Sequence, residues 1–174
     1  AYFVLTIYEN SIQIALDATG HSMHKRGYKQ DQGPAPLSEV LAAGILSLSN
    51  WKPGIPLVDG MTGSGTFLTE ALMQCQNMPA AKYRENFAMM QWRSFNRKRW
   101  DQLMNEALAK EAREGYPDVV GIEIDKAQVK RAKANLVAAG FSPIHHLREM
   151  DFFSFRPSMH NRDWECGVLV LNPP

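Results

Sequence analysis

The chain has 174 residues, 45% of them hydrophobic, and a formal net charge of +1 at neutral pH. That length suits one domain with its own apolar core, and the near-balanced charge removes any bulk electrostatic argument for a nucleic-acid partner. Cys75 and Cys166 lie too far apart for metal-ligand spacing and read as reduced, buried thiols of a cytosolic protein; no basic-then-apolar leader or membrane-length apolar run is present.

The pattern begins mid-strand at Ala1 and stops at Pro174 just after another strand, as expected of a piece of something longer. Residues 3–8 and 12–16 are β-rich runs flanking Glu9-Asn10-Ser11, which predicts a hairpin. The basic stretch that follows, residues 21–29, has two readings: contact with a nucleic-acid backbone, or a solvated loop. His21 and His24 have no acid or cysteine at metal spacing, so no metal is expected. Residues 31–36 are turn-rich, and Pro36 suits the first turn of a helix running to about Ser49, with Val40, Leu41, Ile45 and Leu48 as its apolar stripe.

Residues 57–67, Leu-Val-Asp-Gly-Met-Thr-Gly-Ser-Gly-Thr-Phe, organise the rest. An apolar run ends in an acid, turns through glycines and enters an amphipathic helix, the opening unit of an α/β nucleotide-binding fold. Gly63 and Gly65 let the backbone approach a ligand closely, and the helix points free amides at it. The loop lacks the lysine of a P-loop and the spaced third glycine of a dinucleotide fingerprint, which argues against ATP and NAD.

Residues 77–115 form a polar and aromatic insert in which Phe87, Met90, Trp92, Phe95 and Trp100 alternate with Arg93, Arg97, Lys98 and Arg99. It reads either as an RNA-facing surface or as a helical insert packing its aromatics on the main sheet. A helix is predicted over residues 98–113, with Trp100, Leu103, Ala107 and Leu108 on one face and Gly115 as its stop. Residues 118–125 form a second buried strand; Asp125 caps a helix running to Ala139, which leaves Glu123 free for a ribose diol. Further strands are predicted at residues 144–148 and 167–171. After the first, Asp151 and Phe152 can frame an adenine by its edge and face. After the second comes Asn172-Pro173-Pro174, whose stiffened turn can hold an amide oxygen and a backbone carbonyl against an exocyclic amine.

Residues 59–66, residues 121–125, Asp151-Phe152 and Asn172-Pro173-Pro174 stand in the order of the amino-methylating class I S-adenosylmethionine-dependent methyltransferases. The basic linker, Ala35-Pro36-Leu37 and the long insert make the chain similar to the bacterial 23S rRNA guanine-N2 methyltransferases, in which a THUMP RNA-binding domain precedes the catalytic one. The chain departs from that family at Gly60, usually proline, and at Thr62, usually cysteine.

The resemblance implies S-adenosyl-L-methionine as cofactor. Asp59, Gly63, Gly65 and Thr66 would hold its methionine end, with Met61 and Thr62 in the same loop; Glu123 would take the ribose, Ile124 the adenine, and Asp151 with Phe152 its edge and face. Asn172, Pro173 and Pro174 would grip the target amine. The expectation is a Rossmann-like α/β sheet with helices on both faces. Residues 1–30 are a hairpin and basic linker, and residues 31–174 the N-terminal part of a methyltransferase domain truncated after its fourth strand. The expected function is cytoplasmic methylation of guanine N2 in large-subunit rRNA, with this piece alone inactive because the strands completing the fold are missing. The alternatives are an adenine-N6 methyltransferase on DNA or RNA, and a non-catalytic cofactor-binding module of a larger RNA-binding protein.

Overall fold

The computed structural model describes residues 2–30, 37–112, 118–160 and 164–173. Strands β1 (Tyr2–Tyr8) and β2 (Ser11–Asp17) pair antiparallel as the predicted hairpin, a sheet of its own. Its register sets Phe3 against Leu16, Leu5 against Ile14 and Ile7 against Ile12. Alternation puts these six side chains on one face, and all six are exposed.

The main sheet consists of β3 (Leu57–Asp59), β4 (Val119–Glu123), β5 (Leu147–Glu149) and β6 (Val168–Val170), all parallel, in the order β5-β4-β3-β6. The order reverses between β3 and β6, and in such sheets ligands bind beyond the carboxyl ends of the strands at that point. Helices α1 (Glu39–Leu48), α2 (Thr66–Cys75) and α4 (Lys126–Ala138) share one core with Leu57, Val119, Leu147 and Val170. The opposite face, carrying Val58, Val120 and Ile122, packs on Phe152, Phe155 and Trp164 from short 3-10 turns and loops, while α1, α2 and α4 share the other. Among the described residues no helix is long and apolar enough to cross a membrane.

Several expectations change. Helix α1 starts at Glu39, capped by Ser38, and buries Glu39, Ala42 and Leu46; Val40, Leu41 and Leu48 of the predicted stripe are exposed. Pro36 and Gly115 lie outside the described residues. Helix α3 spans Arg97–Leu108 and buries none of its residues. The strand predicted over residues 144–148 is a short helical turn, α5 (Pro143–His146), followed by β5. Neither cysteine is buried: Cys75 is half-buried and Cys166 exposed.

The basic linker is solvated only in part: His21, Lys25 and Gly27 are exposed, whereas Arg26 and Tyr28 are buried. Arg26 donates twice to the Glu70 carboxylate of α2, at 3.1 and 2.9 Å, and the Tyr28 hydroxyl donates to the same carboxylate at 3.3 Å. The Lys29 ammonium donates to the Leu37 carbonyl at 2.9 Å and lies 3.9 Å from Glu39 of α1. Arg26, Tyr28, Glu39 and Glu70 are all buried. Buried charges persist only when paired, and this pairing draws the linker into the domain.

The insert meets the packing expectation only in part: Met78 and Tyr83 pack against the main core, and Tyr83 donates to the Ala139 carbonyl at 2.8 Å. Its ends meet, because the Ala112 amide donates to the Gln76 carbonyl and the Asn77 side chain to the Lys110 carbonyl. Phe87 packs 5.1 Å from Trp100 and under the Arg84 guanidinium, apart from both cores of the sheet. Arg84 in turn donates to the carbonyls of Thr19, His21 and Ser22, fastening the insert to the linker. Arg93, Lys98 and Arg99 are exposed, while Arg97 pairs with Asp101.

Candidate active site

The carboxyl ends of β3, β4, β5 and β6 surround a cavity of about 760 Å³. Met61, Thr62, Gly63, Thr66, Glu123, Ile124, Asp151, Phe152, Asn172 and Pro173 all line it, joined by Leu37, Gly60, Ser64, Phe67, Ile122, Asp125, Gln128, Met150 and Phe153. Ten of the residues singled out in the sequence therefore converge on one space. Pro174 lies outside the described residues.

The glycine loop is built by backbone bonds from three strands. The Gly60 amide donates to the Val170 carbonyl of β6 and the Thr62 amide to the Ile122 carbonyl of β4. The Thr62 hydroxyl returns to the Asp59 carbonyl at 3.0 Å. Gly63 and Gly65 have φ of +55° and +86°, left-handed conformations that disfavour a side chain. At Gly65 a Cβ would also stand 3.3 Å from that of Ala132, so this glycine serves the packing of loop on α4 and does not line the cavity. Gly121 of β4 has a similar use: a Cβ there would run into the Thr62 hydroxyl and stand 2.8 Å from Leu68. Helix α2 starts at Thr66 with no side-chain cap, which leaves first-turn amides beside the cavity, where an anionic group could meet them.

Glu123 is not free as expected. Its Oε2 accepts from the Gly63 amide at 2.7 Å, and its Oε1 accepts from the Ile124 and Asp125 amides, each at 2.9 Å. A carboxylate has about four acceptor directions, so capacity remains for a diol, but the group is first a clasp between β4 and the loop. Asp125 caps α4 as predicted, accepting from Ala127 and Gln128. Asp151 accepts from the Phe153 amide at 3.1 Å, beginning the turn that presents the Phe152 and Phe153 rings, 5.5 Å apart.

Asp59 lies beneath the loop, fully buried, and does not line the cavity. Neither of its carboxylate oxygens completes a well-formed hydrogen bond. Burial pushes its carboxyl up to about 7; the Thr62 hydroxyl and Met61 amide oppose the rise, and the Glu123 charge adds to it.

Sequence reasoning missed Asn135. This fully buried α4 side chain donates to the Ser64 carbonyl of the loop at 2.9 Å and accepts from the Gln30 amide of the linker at 2.9 Å. The available signal was a polar residue three positions after Ala132, on the helix face that meets Gly65.

Amides on one side, a carboxylate at a strand end, and aromatic and apolar surface with an exposed acid on the other suit a ligand with an amino-acid end, a ribose and a base. Among the described residues no three potential metal ligands come together. A family model described as RMKL-like, methyltransferase domain, matches residues 26–174. A Synechocystis protein named as a candidate RNA methyltransferase (slr0064) is 35% identical over 168 residues, covering 97% of this chain and 42% of that protein. The crystal structure of SMU.472, described as a candidate methyltransferase in complex with SAH, matches with a TM-score of 0.88 at 30% identity, covering 99% of this chain and 43% of that one. A Listeria monocytogenes structure described as a predicted N6-adenine-specific DNA methylase also matches with a TM-score of 0.88, at 31% identity, covering 99% and 44%. The chain thus spans 42% to 44% of the length of these relatives.

Proposed function

The chain belongs to the RMKL-like methyltransferase domain family, and from that premise we propose that it is the cofactor-binding part of an S-adenosylmethionine-dependent enzyme that methylates the exocyclic N2 amine of a guanine in 23S rRNA. The observation that carries this reading is the convergence of the glycine loop, Glu123, Asp151-Phe152 and Asn172-Pro173 on one cavity. The relative named as an RNA methyltransferase supports RNA as the substrate class. An upstream THUMP domain in the full-length protein is part of the same proposal.

The residues present fit the cofactor. The loop amides and the start of α2 would receive the methionine carboxylate, Glu123 would take ribose hydroxyls on its remaining lone pairs, and Ile124, Phe152 and Asp151 would hold the adenine. When bound, S-adenosylmethionine supplies an electrophilic methyl group. Asn172 and the Pro173 carbonyl would accept the hydrogens of the target amine and so orient its lone pair for the transfer. Orientation of this kind lowers a bimolecular barrier by about 7 kcal/mol or more when the geometry is good, so the site needs little acid-base help. A base held in folded RNA must be unstacked to enter.

The test is methylation of unmodified 23S rRNA by the full-length protein, followed by digestion to nucleosides and mass analysis. N2-methylguanosine supports the reading. N6-methyladenosine would replace it with the second reading, adenine methylation, which the description of the Listeria structure favours and to which an Asn-Pro clamp is equally suited.

A further inference from the structure

Asn135 does not line the cavity, yet both ends of its amide are committed to elements that frame the site. Its Nδ2 holds the Ser64 carbonyl, between the two left-handed glycines of the loop. Its Oδ1 holds the Gln30 amide, directly after the linker residues Arg26, Tyr28 and Lys29 that are buried against α2 and α1. Ala132, one turn earlier on α4, packs on Gly65. One face of α4 is therefore the template on which the loop lies, and Asn135 is its only fully buried polar side chain among the described residues.

The linker reaches the cavity by a second route. The Leu37 carbonyl accepts from the Lys29 ammonium at 2.9 Å and from the Thr66 hydroxyl at 3.4 Å, and Leu37 lines the cavity. The linker and the glycine loop are thus joined twice, through Asn135 and through Leu37.

We infer that Asn135 is a positioning residue of the cofactor site: it fixes the Ser64 peptide so that the neighbouring loop amides face the ligand, and it makes that geometry depend on the docked linker. The inference rests on the cofactor reading above. A buried donor removed from the Ser64 carbonyl leaves that acceptor unsatisfied, and no side-chain cap holds the loop where it enters α2.

The experiment is calorimetric titration of the full-length protein with S-adenosylhomocysteine, beside thermal melts, for wild type, Asn135→Ala, Asn135→Asp and Leu136→Ala. Leu136 is the adjacent fully buried α4 residue, an apolar member of the main core whose carbonyl accepts from the Phe141 amide. Asn135→Asp keeps shape and the acceptor for Gln30 but loses the donor to Ser64. Both Asn135 variants are expected to raise Kd about tenfold or more, while Leu136→Ala lowers the melting temperature at least as much and leaves Kd within about twofold. If one Asn135 variant fails to fold, the other decides. Unchanged affinity in a folded Asn135 variant, or an equal loss in Leu136→Ala, overturns the inference. A wild-type protein that binds no S-adenosylhomocysteine overturns the cofactor reading itself, and the inference with it.

Discussion

The Glu123 carboxylate reaches the Gly63 amide at 2.7 Å, joining the end of β4 to a loop sixty positions earlier in the chain. With Oε1 on the Ile124 and Asp125 amides, one side chain sets three backbone donors at the mouth of the cavity. Glu123→Ala is expected to weaken S-adenosylhomocysteine binding by about 1–3 kcal/mol, the cost of hydrogen bonds to a charged acceptor. It should also speed amide exchange at Gly63, Ile124 and Asp125. Calorimetry and hydrogen exchange on one sample separate the two effects, and slow exchange with lost affinity would assign Glu123 to the ligand alone.

The buried Asp59 makes stability depend on pH. Its carboxyl rises from 3.8 to about 7 in the folded protein. Between those values the native state holds a proton that the unfolded chain has released, so stability falls as pH rises through that window and is fully present only below it. The loss is on the order of a few kcal/mol at roughly 1.4 kcal/mol per pKa unit. Asp59→Asn, an isostere that cannot ionise, should flatten the profile and raise the melting temperature at pH 8 relative to wild type. Denaturant titrations at pH 5 and pH 8 check both; parallel profiles in the two proteins would remove Asp59 as the cause.

The Arg26–Glu70 pair is expected to behave as a buried ion pair. Arg26→Met strands the Glu70 carboxylate with only the Tyr28 hydroxyl, and burial already pushes that carboxyl upward. The predicted cost is about 3–5 kcal/mol, whereas Arg26→Met with Glu70→Leu is expected to recover most of it. A double-mutant cycle by urea unfolding measures the coupling. If both changes simply add, the linker is held by other contacts.

What could be read from the sequence was local. β-rich and continuous apolar runs identify the hairpin and the strands around Val58, Val120 and Leu169, and Asp125-Lys126-Ala127-Gln128 announces its own cap. The glycine loop, the strand-end acid and Asn172-Pro173 were recognisable because each needs particular residue types at a turn. What stayed hidden depends on distant partners. Lys29 beside Glu39 turns α1 so that an acid faces inward and Leu48 outward, against the expected stripe. Arg26 reads as a surface cation until Glu70, forty-four positions later, stands opposite it. Asn135 carries no local signal beyond its place on a helix.

Gly121→Ala should be among the most damaging single methyl additions. The new Cβ would run into the Thr62 hydroxyl and lie 2.8 Å from Leu68, both buried. Overpacking of this kind costs about 1–3 kcal/mol, and relief by moving Thr62 would displace the loop. The expected result is a lower melting temperature together with weakened S-adenosylhomocysteine binding. Gly44→Ala in α1, where a Cβ meets nothing, is the control and should be neutral or slightly stabilising.

Asn172 separates binding from transfer. It follows β6 and lines the cavity beside Pro173, on the side of β3 opposite β4 and Glu123. If its amide orients the target amine, Asn172→Ala leaves S-adenosylhomocysteine affinity within about twofold while removing an interaction made in the transition state. The loss of one preorganised hydrogen-bonding group at a reacting centre is worth about 10²–10³ in kcat, and that is the fall expected for the full-length protein on 23S rRNA. Single-turnover methyl transfer with saturating cofactor measures it directly. A variant that transfers at the wild-type rate would release Asn172 from the reaction and move the target base elsewhere in the cavity.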